Sequence, residues 1–116
     1  MFLNKQSIAA ILLAAASMCA AAAVADTPGV RAYANKDYAA ALRTLPAEAK
    51  GGNAQSQHHM GLLYFFGRGV EIDHVIAHKW FLAAAEQGLA KAQWNVGQDY
   101  EDGLGVTTDM AQALAW

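Results

Sequence analysis

The chain has 116 residues, 55% of them hydrophobic and 16% charged, with a formal net charge of −2. That length holds one small domain. The hydrophobic share excludes full disorder, and the slightly acidic balance argues against nucleic acid or an anionic membrane surface as the main partner.

The first segment reads as a secretory signal peptide. Lys5 and the amino terminus supply the positive end, Ile8 to Ala16 an apolar core, and Ala23-Val24-Ala25 a small-x-small cleavage pattern before Asp26. Cleavage is expected after Ala25, which makes residues 1–25 a leader and the mature protein periplasmic or secreted. Two rival uses of the same residues exist. An uncleaved anchor would span Ile8 to Ala25, a run of minimal length and rich in alanine. A lipoprotein would be modified at Cys19, although Met18 stands where a small residue is expected. Cleavage removes the only cysteine, so the mature chain has neither a thiol nor a membrane span.

Next, Thr27-Pro28 offers an N-cap and first position for a short helix through Tyr33, turning at Asn35-Lys36. Asp37 to Lys50 reads as a second helix, which Pro46 is expected to kink or split. Residues 28–52 together form an N-terminal cap of two helices.

Ala54, Met60, Gly61 and Tyr64 lie at helical spacing and make one face of a helix A. Gly67-Arg68-Gly69-Val70 interrupts the pattern with residues suited to positive φ, and Val70 is expected to turn back into the core. Asp73 caps a helix B whose apolar face is Ile76, Ala77, Trp80 and Ala84, with Leu82 at its flank. Gly88 ends that helix. Small residues at Ala54, Gly61, Ala77 and Ala84 let the helices approach, with Tyr64 and Trp80 expected to fill the volume between them. Glycine inside a helix costs about 1 kcal/mol relative to alanine, so Gly61 implies a packing reason.

Shifting the chain against itself by 36 positions repeats this unit. Ala54, Gln57, Gly61, Tyr64 and Gly67 match Ala90, Gln93, Gly97, Tyr100 and Gly103. Gly69, Val70, Asp73, Ala77 and Trp80 match Gly105, Val106, Asp109, Ala113 and Trp116. Chance would give about two such identities in this window. Residues 53–88 are thus one repeat and 89–116 a second. In the second, Asp109 with Gln112 reads as a capping box, and the counterparts of Ala84, Ala85 and Gly88 are missing, so it reads as incomplete. Upstream, Asp37, Ala41, Ala49 and Gly52 match Asp73, Ala77, Ala85 and Gly88, while Thr44 stands in the tryptophan's place.

The string Gly61-x-x-Tyr64-x-x-Gly67-x-Gly69-Val70-x-x-Asp73-x-x-x-Ala77-x-x-Trp80-x-x-x-Ala84-Ala85-Glu86-Gln87-Gly88 resembles the Sel-one-like repeat (SLR) family. These are cousins of the tetratricopeptide repeats, whose unit is about 34 residues and lacks this glycine-valine loop. The resemblance covers Asn53 to Trp116. It implies an all-α fold: a short tetratricopeptide-like α/α solenoid of antiparallel helix pairs with a concave inner face. Relatives in bacterial envelopes act as adaptors in signalling, exopolysaccharide export, motility or host interaction. A cysteine-rich branch is β-lactamase-like and carries paired cysteines in each repeat, which the mature chain lacks.

Chemistry-bearing groups are few. His74 and His78 stand at i, i+4 without an acidic third ligand on their face, and His58 has no stronger set. All three are expected to face solvent. Asp99, Glu101 and Asp102 read as a solvated helix end, not a calcium loop. Ser56, the only serine after the leader, lies in no Ser-x-x-Lys or Gly-x-Ser-x-Gly motif. Of Phe65 and Phe66, at least one is left over from the core, for a repeat junction or for a partner.

The sequence therefore points to a non-enzymatic adaptor, with no catalytic residue, metal site or cofactor. It would hold a peptide or protein, not nucleic acid, in a concave groove formed by the free positions of the A helices. Those positions are Gln57, His58, Leu62, Phe65, Asn95 and Gln98. The alternatives are a β-lactamase-like or penicillin-binding hydrolase, by analogy with relatives, and a fragment without independent function.

Overall fold

The computed structural model describes residues 27–116, so the expected leader, its expected cleavage after Ala25 and Cys19 lie outside the described residues. Among the described residues there are six helices and no strand. They are α1 (Pro28–Ala34), α2 (Tyr38–Lys50), α3 (Ala54–Phe66), α4 (His74–Glu86), α5 (Ala90–Asp102) and α6 (Met110–Ala115), each packed on the next along the chain. The molecule is an all-α stack of helix pairs.

Local chemistry sets nearly every boundary. Thr27 Oγ accepts from the Val30 N–H at the start of α1, with Pro28 in its first turn. Asp37, Asn53, Asp73 and Asp109 accept from N–H groups in the first turns of α2, α3, α4 and α6. Leu89, at the position equivalent to Asn53, gives α5 no such side-chain cap. At the far end of α4, the Gly88 N–H donates to the Ala85 carbonyl and the Leu89 N–H to that of Ala84. The same pair of bonds closes α2 at Gly52 and Asn53.

The glycine-valine loops repeat in detail. Gly67 and Gly69 have φ of 68° and 77°, and Gly103 and Gly105 have 70° and 76°. Each loop ends with an aspartate N–H donating to a tyrosine carbonyl, Asp73 to Tyr64 at 2.9 Å and Asp109 to Tyr100 at 2.8 Å. Both bonds are main chain to main chain, so the two loops close alike whatever side chains flank them. Of the capping box expected at Asp109, one half is present: Asp109 Oδ1 accepts from the Gln112 N–H at 3.2 Å, while the Asp109 N–H donates to Tyr100 and not to the Gln112 side chain.

Two core clusters lie on either side of α3. The first joins Ala41, Leu45 and Ala49 of α2 to Met60 and Leu63 of α3, with Val70 and Trp80 packed against it. The second joins Ala77, Phe81, Ala84 and Ala85 of α4 to Ala92 and Val96 of α5. Tyr64 touches both. The side chain that fills the space against Gly61 is Phe81, not Trp80 as expected: a Cβ on Gly61 would stand 2.5 Å from two Phe81 ring carbons. Phe81 is completely buried, whereas Trp80 is half-buried and faces the first cluster. Nor does Pro46 split α2, which runs unbroken from Tyr38 to Lys50. The lost backbone bond is offset because buried Leu45 and Ala49 hold that turn against α3.

Candidate functional site

Not all the positions expected to line a groove do so. The Gln57 side chain donates to the Ala49 carbonyl at 3.1 Å and accepts from Gln87 at 2.8 Å. Gln93 donates likewise to the Ala85 carbonyl, so the recurring glutamine stitches each helix A to the preceding helix B. His58 is 6% exposed, and its Nε2 meets Asn95 Oδ1 at 2.9 Å. Both residues are buried because their polar atoms serve the packing between helices. The four remaining positions, Leu62, Phe65, Asn95 and Gln98, share one groove.

That groove runs between α3 and α5 and encloses about 240 Å³. Leu62, Phe65 and Phe66 line it from α3. Trp94, Asn95, Gln98, Asp99 and Asp102 line it from α5, and Leu104 lies just beyond that helix. Phe65 is half-buried against the second core cluster, and its ring meets His74 edge-on at a centroid distance of 4.9 Å. Phe66 and Trp94 are exposed, Trp94 to 65%. The Phe66 ring is backed by the Arg68 guanidinium 4.7 Å from its centroid, and Arg68 Nη1 donates to Tyr33 Oη at 2.6 Å. Arg68 thus fixes one edge of the groove to the N-terminal helices. A second depression of about 220 Å³ lies between α5 and α6 and shares Trp94 and Gln98 with the first.

Beneath the groove the histidines behave differently from expectation. His78 is buried, with Nδ1 2.9 Å from Asp99 Oδ2 and its ring edge-on to Tyr100. Asp99, read from the sequence as part of a solvated helix end, is therefore a buried partner joining α4 to α5. His74 is half-buried against Phe65. Burial, which the hydrogen bond to Asn95 opposes and nearby His59 and Lys91 reinforce, holds His58 at about 4, below its ordinary 6.5. His58 is neutral at physiological pH. Apart from Asp99, the charged rim of this face comes from Glu101 and Asp102 at the end of α5, where Gln98 donates to Glu101 at 3.2 Å.

Ser56 is fully buried, and its hydroxyl donates to Glu48 Oε1 at 2.7 Å. Among the described residues, no group of three or more His, Cys, Asp or Glu side chains is placed to hold a metal ion. No described helix is long and apolar enough to cross a membrane.

The sequence model of the Sel1 repeat matches residues 54–89 and again 90–116. The chain belongs to the Sel1 repeat family. Such repeats are generally protein–protein interaction scaffolds and typically non-catalytic. Among solved structures, it is similar to a Sel1 repeat protein from Oxalobacter formigenes, with a TM-score of 0.72 and 42% identity over 76% of this chain and 36% of that one. It is also similar to c5321, a protective antigen of uropathogenic Escherichia coli strains with an SLR fold. There the TM-score is 0.71, with 30% identity over 97% of this chain and 25% of that one. Among curated relatives, the ERAD-associated E3 ubiquitin-protein ligase component HRD3A of Arabidopsis thaliana is 38% identical over 65 residues, 55% of this chain. An uncharacterized protein of Neisseria meningitidis serogroup B is 35% identical over 82 residues, 71% of this chain. The chain spans only 10% and 17% of those two relatives' lengths.

Proposed function

We propose that this Sel1 repeat protein is a non-enzymatic adaptor that holds a peptide or protein partner in the groove between α3 and α5. The observation that carries the reading is the convergence of aromatic and aliphatic groups on one depression. Phe66 and Trp94 are exposed on facing sides of a groove that Leu62 and Phe65 also line. Exposed aromatics around a shaped depression are the usual anchors of a binding surface. The organisation proposed for the chain is a leader of residues 1–25, capping helices in 28–52, and repeats in 53–88 and 89–116. The leader grammar supports a periplasmic or secreted location, with cleavage after Ala25.

A photoreactive phenylalanine analogue placed at Leu62 tests the groove, with the same analogue at exposed Lys79 as control. Adducts from the envelope fraction are expected at Leu62 alone; equal labelling at both positions would remove the groove from the account. N-terminal sequencing of the exported chain tests the location, with Asp26 expected first. A product starting at Met1, or a lipidated Cys19, would replace that reading.

A further inference from the structure

The groove is lined where the two repeats differ. Under the 36-position shift, the identities are scaffold: Gly61 and Gly97, Tyr64 and Tyr100, Asp73 and Asp109. The groove positions are mismatched pairs instead. Leu62 corresponds to Gln98, Phe65 to Glu101, Phe66 to Asp102, and Arg68 to Leu104. One backbone pattern therefore presents an apolar wall on α3 and a polar, acidic wall on α5. Trp94 closes the start of the α5 wall and Leu104 lies beyond its end.

Size and charge narrow the occupant. About 240 Å³ is smaller than the range of roughly 300–1,000 Å³ typical of small-molecule sites, and it suits a side chain or two from a macromolecule. Asp102 is exposed at the open end of the α5 wall, with Glu101 beside it. Asp99 adds a carboxylate to the lining, already bonded to His78. The cation at the opposite edge, Arg68, is engaged by the Tyr33 hydroxyl and lies against the Phe66, Tyr38 and Tyr33 rings. Lys91 stands at the other end of α5 from Asp102, beside His58. The apolar pocket and the acidic end are thus adjacent.

We infer that the groove takes a protein segment carrying a leucine or aromatic side chain next to a lysine or arginine. The apolar group sits between Phe65 and Trp94, and the cation reaches Asp102. The inference rests on the groove reading proposed above and gives its partner a chemistry.

Heptapeptides displayed on phage and selected on the full chain test it, using Trp94→Ala and Asp102→Lys as counter-targets. Both positions are exposed, so these variants leave the core untouched. Enriched sequences are expected to place Lys or Arg within two positions of Leu, Phe, Tyr or Trp. As synthetic peptides they should lose about tenfold or more in affinity on Trp94→Ala, since exposed aromatics carry most of such contacts. Asp102→Lys should cost about threefold to tenfold, more at low salt, as for a rim charge. Peptides that bind Trp94→Ala unchanged, or no enrichment at all, would overturn both the groove and its chemistry. Peptides that need Trp94 but lack a cation, or bind Asp102→Lys equally well, would leave the groove standing and overturn the inference.

Discussion

The seam between the N-terminal helices and α3 is fastened by a carboxylate, and the seam between α4 and α5 by an imidazole. In the first, Glu48 accepts from Thr27 Oγ at 2.6 Å, Ser56 Oγ at 2.7 Å and the Gly29 N–H at 3.0 Å. In the second, His78 meets Asp99, while His58 meets Asn95 across from α3. The helix pairs repeat at a fixed spacing, yet the polar groups inside them do not. Repetition dictates where helices lie, and each seam is free to choose the chemistry that closes it. In a stack whose units touch only neighbours, such a choice gives each seam its own stability.

The largest way to break that comparison is Phe81→Ala. The ring is completely buried against Gly61, and emptying its space is expected to cost about 3–5 kcal/mol. Hydrogen exchange should show α4 and α5 losing protection while α1 and α2 keep theirs. Simultaneous loss in all of them would mean that the stack opens as one unit and that the two seams are not separable.

Acid sharpens the comparison. His58 is held at about 4 in the fold and returns to about 6.5 when unfolded, so the unfolded chain binds more protons between those values. Stability falls as pH drops through that window, by at most about 3 kcal/mol at its lower end. Glu48 acts lower on the scale. Its burial would raise its pKa, but the bonds from Thr27, Gly29 and Ser56 win and hold it below the usual value. Its contribution is present above the unfolded pKa and disappears as pH falls through the lower folded one. Urea unfolding from pH 7 to pH 4 should show the decline, and His58→Gln should flatten it. An unchanged slope in that variant would assign the acid response elsewhere.

How far the sequence could anticipate these two seams depends on what repetition can reveal. The caps at Asp73 and Asp109 and the positive-φ glycines of the loops were readable because both repeats spell them, the helix start at Asp37 because the same shift pairs it with Asp73, and Thr27 because Pro28 follows it. Phe81 was missed because the shift pairs it with Leu45, apolar but not identical, so it does not stand among the recurring residues. Its spacing from Ala77 and Ala85, one helical turn each way, was the signal available. His78 and Asp99 looked solvent-facing because each is polar in isolation. Their burial depends on a partner 21 residues away on another helix. His58 and Trp94 occupy equivalent positions with opposite fates, one buried under α5 and one exposed in the groove. Local pattern cannot separate such a pair, because the neighbour that covers one of them belongs to the tertiary fold.

The loops offer a finer contrast. At Gly69 a Cβ would meet Leu42 Cδ1, the movable tip of a side chain, at 2.8 Å. At Gly105 it would meet the backbone carbonyl of His74, which cannot step aside without moving the start of α4. Both positions have positive φ, so alanine costs about 1 kcal/mol at either from backbone strain. Overpacking should raise the total at Gly105 to about 2–3 kcal/mol. Thermal unfolding of Gly69→Ala and Gly105→Ala side by side measures the difference, and equal losses would show that the second loop is not pinned to α4.

The smallest expected effect separates two capping aspartates with the same surroundings in sequence. Asp109 accepts from two N–H groups, Ala111 and Gln112, whereas Asp73 accepts from one, Ile76. Counting bonds would make Asp109→Ala the costlier change. What each cap holds in place argues the opposite. Asp73 starts a helix that carries Ala77, Phe81, Ala84 and Ala85 into the core, so fraying its first turn disturbs the packing behind it. Asp109 starts a helix of six residues that is mostly exposed and adds no residue to either core cluster. Asp73→Ala should therefore lower unfolding stability by about 1 kcal/mol, the ordinary worth of an N-cap. Asp109→Ala should reduce helicity while changing global stability by less than about 0.5 kcal/mol, because a cap stabilises the fold only through the packing of the helix it starts.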